Sequence, residues 1–361
     1  LPQGQVIEGL YENPKAGAQD IVAIFPLDGQ HRLLVHQNKA AIQELASRHL
    51  QPFILMGLGV VLFIGWVTFS VTNRIVNNYE GTIEKQNQKI TQAYHEIVEK
   101  NEQISEQKQS ILDSIQYAAR IQEAMLTPLS EIQYLFPQSF VFFRPKDIVS
   151  GDFYWVGKSG KNYVFTVADC TGHGVPGAFM SMIGNNLLNE IVSVRGITHP
   201  VEILAALDSG IRNTLKQEQT ENRDGMDLSI CTFNIETKTI ELASVMHTIY
   251  AFIGNEFLEI KGGKRHIGGK LDENAPPFES HTIELTQATQ IYLATDGFKD
   301  QFGGADNKKF QTGQFRTLLQ NIKDLPVIAQ KETIEKTFID WKGANEQVDD
   351  ILVAGLFFPI S

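Results

Sequence analysis

Residues 53–71, FILMGLGVVLFIGWVTFSV, run for 19 positions without a charge, about the length of helix that spans the hydrocarbon core of a bilayer. No other stretch constrains the chain as much, because such a segment divides it into parts that fold in different surroundings. Arg48 and Pro52 precede the run, Asn73 and Arg74 close it, and Trp66 stands where an interfacial ring would sit. We expect a transmembrane helix over 53–72. A cleavable signal sequence fits poorly, since roughly fifty patterned residues come first. Basic residues flank both sides (Lys39 and Arg48; Arg74, Lys85 and Lys89). They favour a cytoplasmic C-terminal side only slightly.

Residues 1–50 read as the membrane-proximal end of an extracytoplasmic sensor domain. Residues 21–27 and 32–35 are strand-like on either side of Asp28-Gly29, a hairpin dipeptide, and 40–49 has a helical pattern. The chain starts at Leu1 rather than Met, as expected of a fragment or a processed product. Beyond the span, Val76, Ile83, Ile90, Ile97, Ile104 and Ile111 recur every seven residues, and Ala118 continues the series. This repeat predicts a parallel coiled coil over 73–127, and hence a homodimer. The second seam position is poor, with Gln86, Ala93, Lys100, Gln107 and Ser114. Pairing is therefore expected to be marginal, which suits a signalling helix that shifts between nearly equal arrangements. A wider apolar face over 113–126 marks the junction with the globular part, and Pro128 stops the helix.

Residues 137–358 form that globular domain. Strand-like runs fall at 140–143, 153–156, 163–168, 228–234, 239–244, 249–253, 281–284, 290–294 and 351–357. Helical patterns cover 176–195, 199–216, 312–321 and 326–341. Meandering strands interrupted by two consecutive helices predict an α+β domain, with antiparallel sheets and helices packed outside them. No glycine-rich phosphate loop stands between a strand and a helix, which excludes a P-loop or dinucleotide fold. The formal net charge of −11, from 31 basic and 42 acidic residues, argues against a nucleic-acid partner. Cys170 and Cys231 are the only cysteines, so a disulfide framework or a zinc–thiolate site is not expected.

Four aspartates stand where strands give way to turns. They are Asp152 in SGDFYW (150–155), Asp169 in VADCTGHG (167–174), Asp296 in LATDGF (293–298) and Asp349 in QVDDILV (347–353). Carboxylates gathered at the ends of a sheet make an all-oxygen site for hard divalent cations, Mg²⁺ or Mn²⁺. Such a dinuclear site suits phosphate-ester hydrolysis at neutral pH. Asp169 is either a loop cap or a carboxylate able to bridge two ions, and the glycines after it allow a tight turn from which the Cys170 carbonyl could supply another oxygen. Only one of Asp349 and Asp350 needs to be a ligand, since adjacent strand residues point to opposite faces. Asp227, at another strand start, is either a further cation ligand or a turn residue.

Taken together and in order, SGDFYW, ADCTGHGVPGA, TDG and DDILV resemble the bacterial stage II sporulation protein E type of serine/threonine phosphatase. That type is a branch of the protein phosphatase 2C (PPM) superfamily. The resemblance extends upstream to SIQYAARIQEAML (114–126) and covers roughly 110–358. It implies an αββα sandwich of two antiparallel sheets with two Mn²⁺ or Mg²⁺ ions at one end. In this correspondence Asp169 bridges both ions, and the Cys170 carbonyl and Asp152 serve the second, while Asp296 and Asp349 hold the first. Hydrolysis of phosphoserine or phosphothreonine then proceeds by direct attack of water activated by the metals. His173 is either a proton donor to the leaving hydroxyl or a packing residue. The phosphate-binding arginine of many eukaryotic members has no clear counterpart here, and Arg144 and Lys146 are the nearby cations. The resemblance also implies that the two helices after Gly174 act as a switch. It further implies a phosphorylated regulatory substrate, similar to an anti-sigma-factor antagonist, and a catalytic domain on the cytoplasmic side of the inner membrane.

Three other chemistries compete. A cysteine phosphatase needs a phosphate-cradling loop ending in arginine, whereas Cys170 is followed by Thr-Gly-His-Gly. A nucleotide or diguanylate cyclase also follows a membrane helix and a coiled coil, but it calls for alternating helices and strands and no acids near the C-terminus. A catalytically inactive phosphatase fold serving as a binding module is disfavoured by the presence of all four acids.

Overall fold

The computed structural model describes residues 7–13, 18–26, 32–270 and 274–359. They fall into two compact units, Leu1–Ile104 and Ser105–Ser361. In the first unit, β1 (Ile7–Asn13), β2 (Ala18–Pro26) and β3 (Arg32–Asn38) form an antiparallel meander in that order. The sequence pattern points to β2 and β3 but not to β1, and the expected Asp28-Gly29 turn lies outside the described residues. Asn38 then caps α1 (Lys39–Met125), its side-chain oxygen accepting from the backbone N–H groups of Ala40 at 2.8 Å and Ala41 at 3.3 Å. The helix continues through Pro52. It contains a stretch long and apolar enough to cross a membrane, with mean hydropathy 2.3 and no part of it buried. The heptad residues Val76, Ile83, Ile90, Ile97, Ile104 and Ile111 are all exposed.

The second unit begins with the end of α1 and the short α2 (Leu129–Leu135), whose first turn carries Pro128 as its cap. Next come β4 (Ser139–Arg144), β5 (Phe153–Ser159) and β6 (Asn162–Cys170). Helix α3 (Gly174–Leu188) runs into a π-helical turn, Asn189–Val194, and α4 (Pro200–Thr214) follows with proline in its first turn. Two hairpins, β7 (Gly225–Asn234) with β8 (Thr239–Val245) and β9 (Thr248–Ile253) with β10 (Glu256–Lys261), lead to β11 (Ile267–Gly268), β12 (His281–Glu284) and β13 (Thr289–Ala294). Helix α5 (Gly297–Asp300), the small ladder of β14 (Phe302–Gly303) with β15 (Lys308–Lys309), α6 (Gln311–Ile322), α7 (Val327–Lys342) and β16 (Ile351–Phe358) complete the unit.

Two sheets result, ordered β10-β9-β13-β16-β4 and β12-β8-β7-β6-β5, with β11 beside β7 and every pairing antiparallel. The run of consecutive strands from β7 to β13 departs from the alternation of helices and strands that the cyclase reading calls for. Strand periodicity builds the layers, since successive side chains point to opposite faces. Val141 of β4 joins Phe165, Val167, Leu293 and Leu352 between the sheets. Its neighbours Phe140 and Phe142 pack with Phe315 and Phe338 under α6 and α7. On β6, Val164 and Ala168 turn the other way and meet Leu188, Ile203 and Leu207 of α3 and α4. The outcome is the four-layer αββα sandwich. Each fully buried Ile, Leu or Phe favours it by ~2 kcal/mol over an exposed one.

The same pairing gathers the site. Phe153 at the start of β5 is opposite Ala168 near the end of β6, and Ala294 at the end of β13 is opposite Val353 near the start of β16. Each antiparallel pair therefore brings two of the four aspartates to one end of a sheet.

Candidate metal centre

A cavity of about 250 Å³ opens at that end, lined by Asp169, Cys170, His173, Asp227, Asp296, Asp349 and Asp350 among others. Asp169 and Asp227 stand directly opposite each other on β6 and β7, where like charges repel. Asp152 sits just behind the rim, 3 % exposed, and its Oδ2 has no hydrogen-bond partner among the described residues. Burial pushes the Asp152 carboxyl well above its ordinary range, Asp169 adds repulsion, and the Thr295 hydroxyl offsets part of it. Surrounding protein and then Asp169 and Asp349 push Asp296 up to about 6. Asp227 and Asp349 are raised as well, chiefly by burial.

The donor set fits a hard divalent cation. It offers only oxygen, it includes a buried carboxylate oxygen with no partner, and burial followed by repulsion from Asp169 disfavours the charged forms of Asp152 and Asp296. Among the described residues no three such side chains already enclose a common point. The acids ring the cavity, as mutually repelling carboxylates do.

The two adjacent acids of β16 take different parts. Asp350 is 2 % exposed, and its carboxylate accepts from the backbone N–H groups of Lys146 at 2.7 Å and Gly151 at 2.8 Å. It thus pins the segment that carries Asp152. Asp349 is only half-buried and accepts from the Asp350 N–H at 2.8 Å. The loop after Asp169 turns through Gly172 and Gly174, with φ of 85° and 63°. A Cβ placed on Gly151 would stand 2.6 Å from the Gly172 carbonyl and 3.4 Å from that of Cys170. The Cys170 carbonyl therefore faces the Asp152 segment. The Cys170 thiol is buried and raised well above its ordinary value by burial and then by Asp169, which removes it as a nucleophile.

His173 is exposed at the mouth, its Nδ1 2.8 Å from Asp147 Oδ2 and its Nε2 3.3 Å from Lys146 Nζ. Lys146 is thereby placed at the cavity. Arg144 is not. Its Nε donates to Gln347 Oε1 at 3.0 Å and its guanidinium lies 5.8 Å from the Phe338 ring centroid. Three further residues carry no signal that reading the sequence picks up. His247, 4 % exposed in the β8–β9 turn, places Nε2 3.9 Å from Asp169 Oδ2. Lys299 on α5 is a cation beside Asp296, and burial lowers its pKa. His266 holds Asp227 Oδ1 at 2.6 Å. His247 and His266 reach the site through contacts distant in sequence, whereas Lys299 stands one helical turn after Asp296.

A family model described as Stage II sporulation protein E (SpoIIE) matches residues 159–356. The SiaA-PP2C domain of Pseudomonas aeruginosa superimposes with a TM-score of 0.63 at 30% identity, over 70% of this chain and 98% of that one. The chain belongs to the SpoIIE family. Its second unit is a SpoIIE-type PP2C phosphatase domain. The PP2C phosphatase domain and regulatory fragment of SpoIIE from Bacillus subtilis shares the fold, with a TM-score of 0.50 at 16% identity over 62% of this chain and 64% of that one. No curated protein matches the chain.

The SpoIIE domain is joined firmly to the end of α1. Gln122, the one buried side chain of that helix, donates from Nε2 to the Ser150 carbonyl at 2.7 Å and to Ser181 Oγ at 2.8 Å, and its Oε1 accepts from the Ser150 N–H at 3.2 Å. Asn185 of α3 donates to the Met125 carbonyl at 3.0 Å. Gly177 packs so closely on Gly151 and Gly172 that a Cβ there would collide with the Gly172 carbonyl. The junction helix, α3 and the Asp152 segment therefore form one contiguous contact set.

Proposed function

We propose that this chain is a metal-dependent protein serine/threonine phosphatase whose output is set by a membrane sensor. The observation that carries this reading is the arrival of Asp169, Asp296 and Asp349 at one cavity, with Asp152 behind it, in a SpoIIE-type domain. Asp169, Asp152 and the Cys170 carbonyl would hold one divalent ion, Mn²⁺ or Mg²⁺, and Asp169, Asp296 and Asp349 the other. When bound, the ions supply the Lewis acidity that makes water nucleophilic at neutral pH. Asp350 keeps the Asp152 segment in register, and Lys146 offers a cation to the substrate phosphate. His173, oriented by Asp147, holds a proton at the mouth where a leaving serine or threonine hydroxylate needs one.

The substrate in this reading is a phosphorylated regulatory protein, similar to an anti-sigma-factor antagonist. The apolar stretch of α1 supports anchoring in the cytoplasmic membrane with the phosphatase domain in the cytoplasm. The exposed heptad isoleucines support a parallel homodimer. Through Gln122 and Asn185, a shift of the paired helices would move α3 and the Asp152 segment together. A bias of a few kcal/mol between two arrangements is enough for such a switch.

The test is hydrolysis of p-nitrophenyl phosphate and of phosphoserine proteins by the full chain with Mn²⁺. Loss of turnover on chelation and its return with metal is the expected result. No turnover under any metal would leave the fold as an inactive binding module. Deleting residues 76–111 tests the coupling, and unchanged activity together with unchanged Mn²⁺ affinity would remove the coiled coil from the scheme.

A further inference from the structure

Beside the acidic cavity lies a second one of about 410 Å³ with the opposite character. Its cationic lining is Arg212, Arg223, Lys264, Arg265 and Lys270, and no Asp or Glu lines it among the described residues. This stands out in a chain of net charge −11. The two cavities share Thr171 and His266 as lining residues, so they are neighbours along one surface.

The basic cavity is a built structure rather than a chance patch. Asp208, 4 % exposed on α4, receives Arg212 Nη2 at 2.8 Å, Arg265 Nη2 at 2.6 Å and the Gly268 N–H at 2.8 Å. Gln217 fixes the adjoining Gly269 N–H at 2.8 Å. Arg212 is 8 % exposed, and its Nη1 has no hydrogen-bond partner among the described residues. One internal carboxylate thus serves two guanidinium groups and leaves an excess of positive charge among the described lining residues, Asp272 and Glu273 being outside the described residues. Low-dielectric walls direct that field out through the cavity. Lys264 and Lys270 add exposed ammonium groups at its edge.

We infer that this cavity is a subsite for acidic or further phosphorylated residues next to the phosphoserine of the substrate protein. The inference rests on the phosphatase reading above and names how that substrate is recognised. A phosphate directed at the acidic cavity, with extra negative charge a few residues away, matches the opposite signs of the two neighbours. A nucleotide fits less well, because the Phe278 ring beside Arg265 is already covered by that guanidinium at 4.4 Å.

The experiment uses the full chain in detergent with Mn²⁺ and two phosphoserine peptides that differ only in flanking Glu or Gln residues. The ratio of their kcat/KM values is the readout, because damage to the metal site lowers both rates and leaves the ratio alone. We expect the wild-type protein to favour the Glu-flanked peptide by about tenfold in about 0.05 M salt, and to lose most of that preference in about 0.5 M salt. In the Lys264→Gln/Lys270→Gln double variant the ratio falls to within about threefold of unity. A ratio near one in the wild type, or one that the double variant leaves unchanged, overturns the inference. Should p-nitrophenyl phosphate not be hydrolysed at all, the phosphatase reading fails separately. Fluorescence anisotropy of the Glu-flanked peptide, measured without turnover, then decides the subsite, and equal affinity for wild type and double variant rejects it.

Discussion

The two neighbouring cavities solve the problem of buried charge in opposite ways. In the basic one, Asp208 is an internal counter-ion that satisfies two guanidinium groups and a backbone N–H, so the charges are part of the fold. In the acidic one, five aspartates line one cavity, and the cations near them are Lys299 and Lys146, with His247 and His266 in contact at its edges. Asp152, Asp227, Asp296 and Asp349 are raised in pKa, by burial first and by neighbouring carboxylates after it. One cluster stabilises the empty protein, and the other opposes it until cations arrive. Removing a carboxylate from each should therefore have effects of opposite sign on the metal-free protein.

The largest expected effect concerns chemistry. Asp169→Asn, which removes the proposed bridging charge, should lower kcat by about a thousandfold or more while circular dichroism shows an intact fold. Activity within tenfold of wild type would detach the acidic cavity from catalysis. Next comes Asp208→Ala, which leaves buried Arg212 uncompensated and should cost about 3–5 kcal/mol in a denaturant titration. A loss below ~1 kcal/mol would show that the basic cavity does not depend on its internal partner.

Asp296→Asn should instead raise the stability of the chelated protein at pH 7. The Asp296 side chain keeps solvent contact, so screening holds the gain to about 0.5–1 kcal/mol. The pH dependence follows from the same group. Its folded pKa of about 6 lies above the unfolded value, so the folded state holds the extra proton between roughly pH 4 and 6. Stability of the chelated wild type should therefore rise as the pH falls through that window, and the slope should flatten in Asp296→Asn. Mn²⁺ should raise Tm more at pH 7 than at pH 5, because protons compete for the same oxygens. An equal or larger rise at pH 5 would contradict that competition. A comparable effect is expected where the end of α1 meets α3 and the Asp152 segment. Gln122→Leu frees Ser150 and Ser181 and should change kcat/KM and the Mn²⁺ half-saturation concentration by several-fold, ~1 kcal/mol. A change in Tm alone, with both kinetic values held, would make Gln122 a packing residue only.

Much of the sandwich is legible in the sequence because its strands alternate between two cores. In β4, phenylalanines at 140 and 142 serve one core and Val141 the other, and that period survives without any partner in view. Strand β10 is harder to find. EFLEIK has one fully buried residue, so its edge position leaves little hydrophobic signal. The short α2 and α5, of seven and four residues, are below the length at which helical periodicity shows. In the acidic cavity, Asp152, Asp169, Asp296 and Asp349 announce themselves by their motifs. The pairing of two strands then explains why residues so far apart meet. What the motifs leave open is which of Asp349 and Asp350 does what. That depends on whether backbone N–H groups of residues 146 and 151 arrive to claim a carboxylate. Asp208 and His247 sit in no recognisable pattern, since their significance comes from partners elsewhere in the chain.

Both cysteines lie inside the sandwich unit with thiols raised by burial. Phosphatases that work through a thiolate are silenced when oxidants or alkylating reagents reach it. An enzyme built on aspartates, with its sulfur shut away, would keep dephosphorylating its target through an oxidative burst.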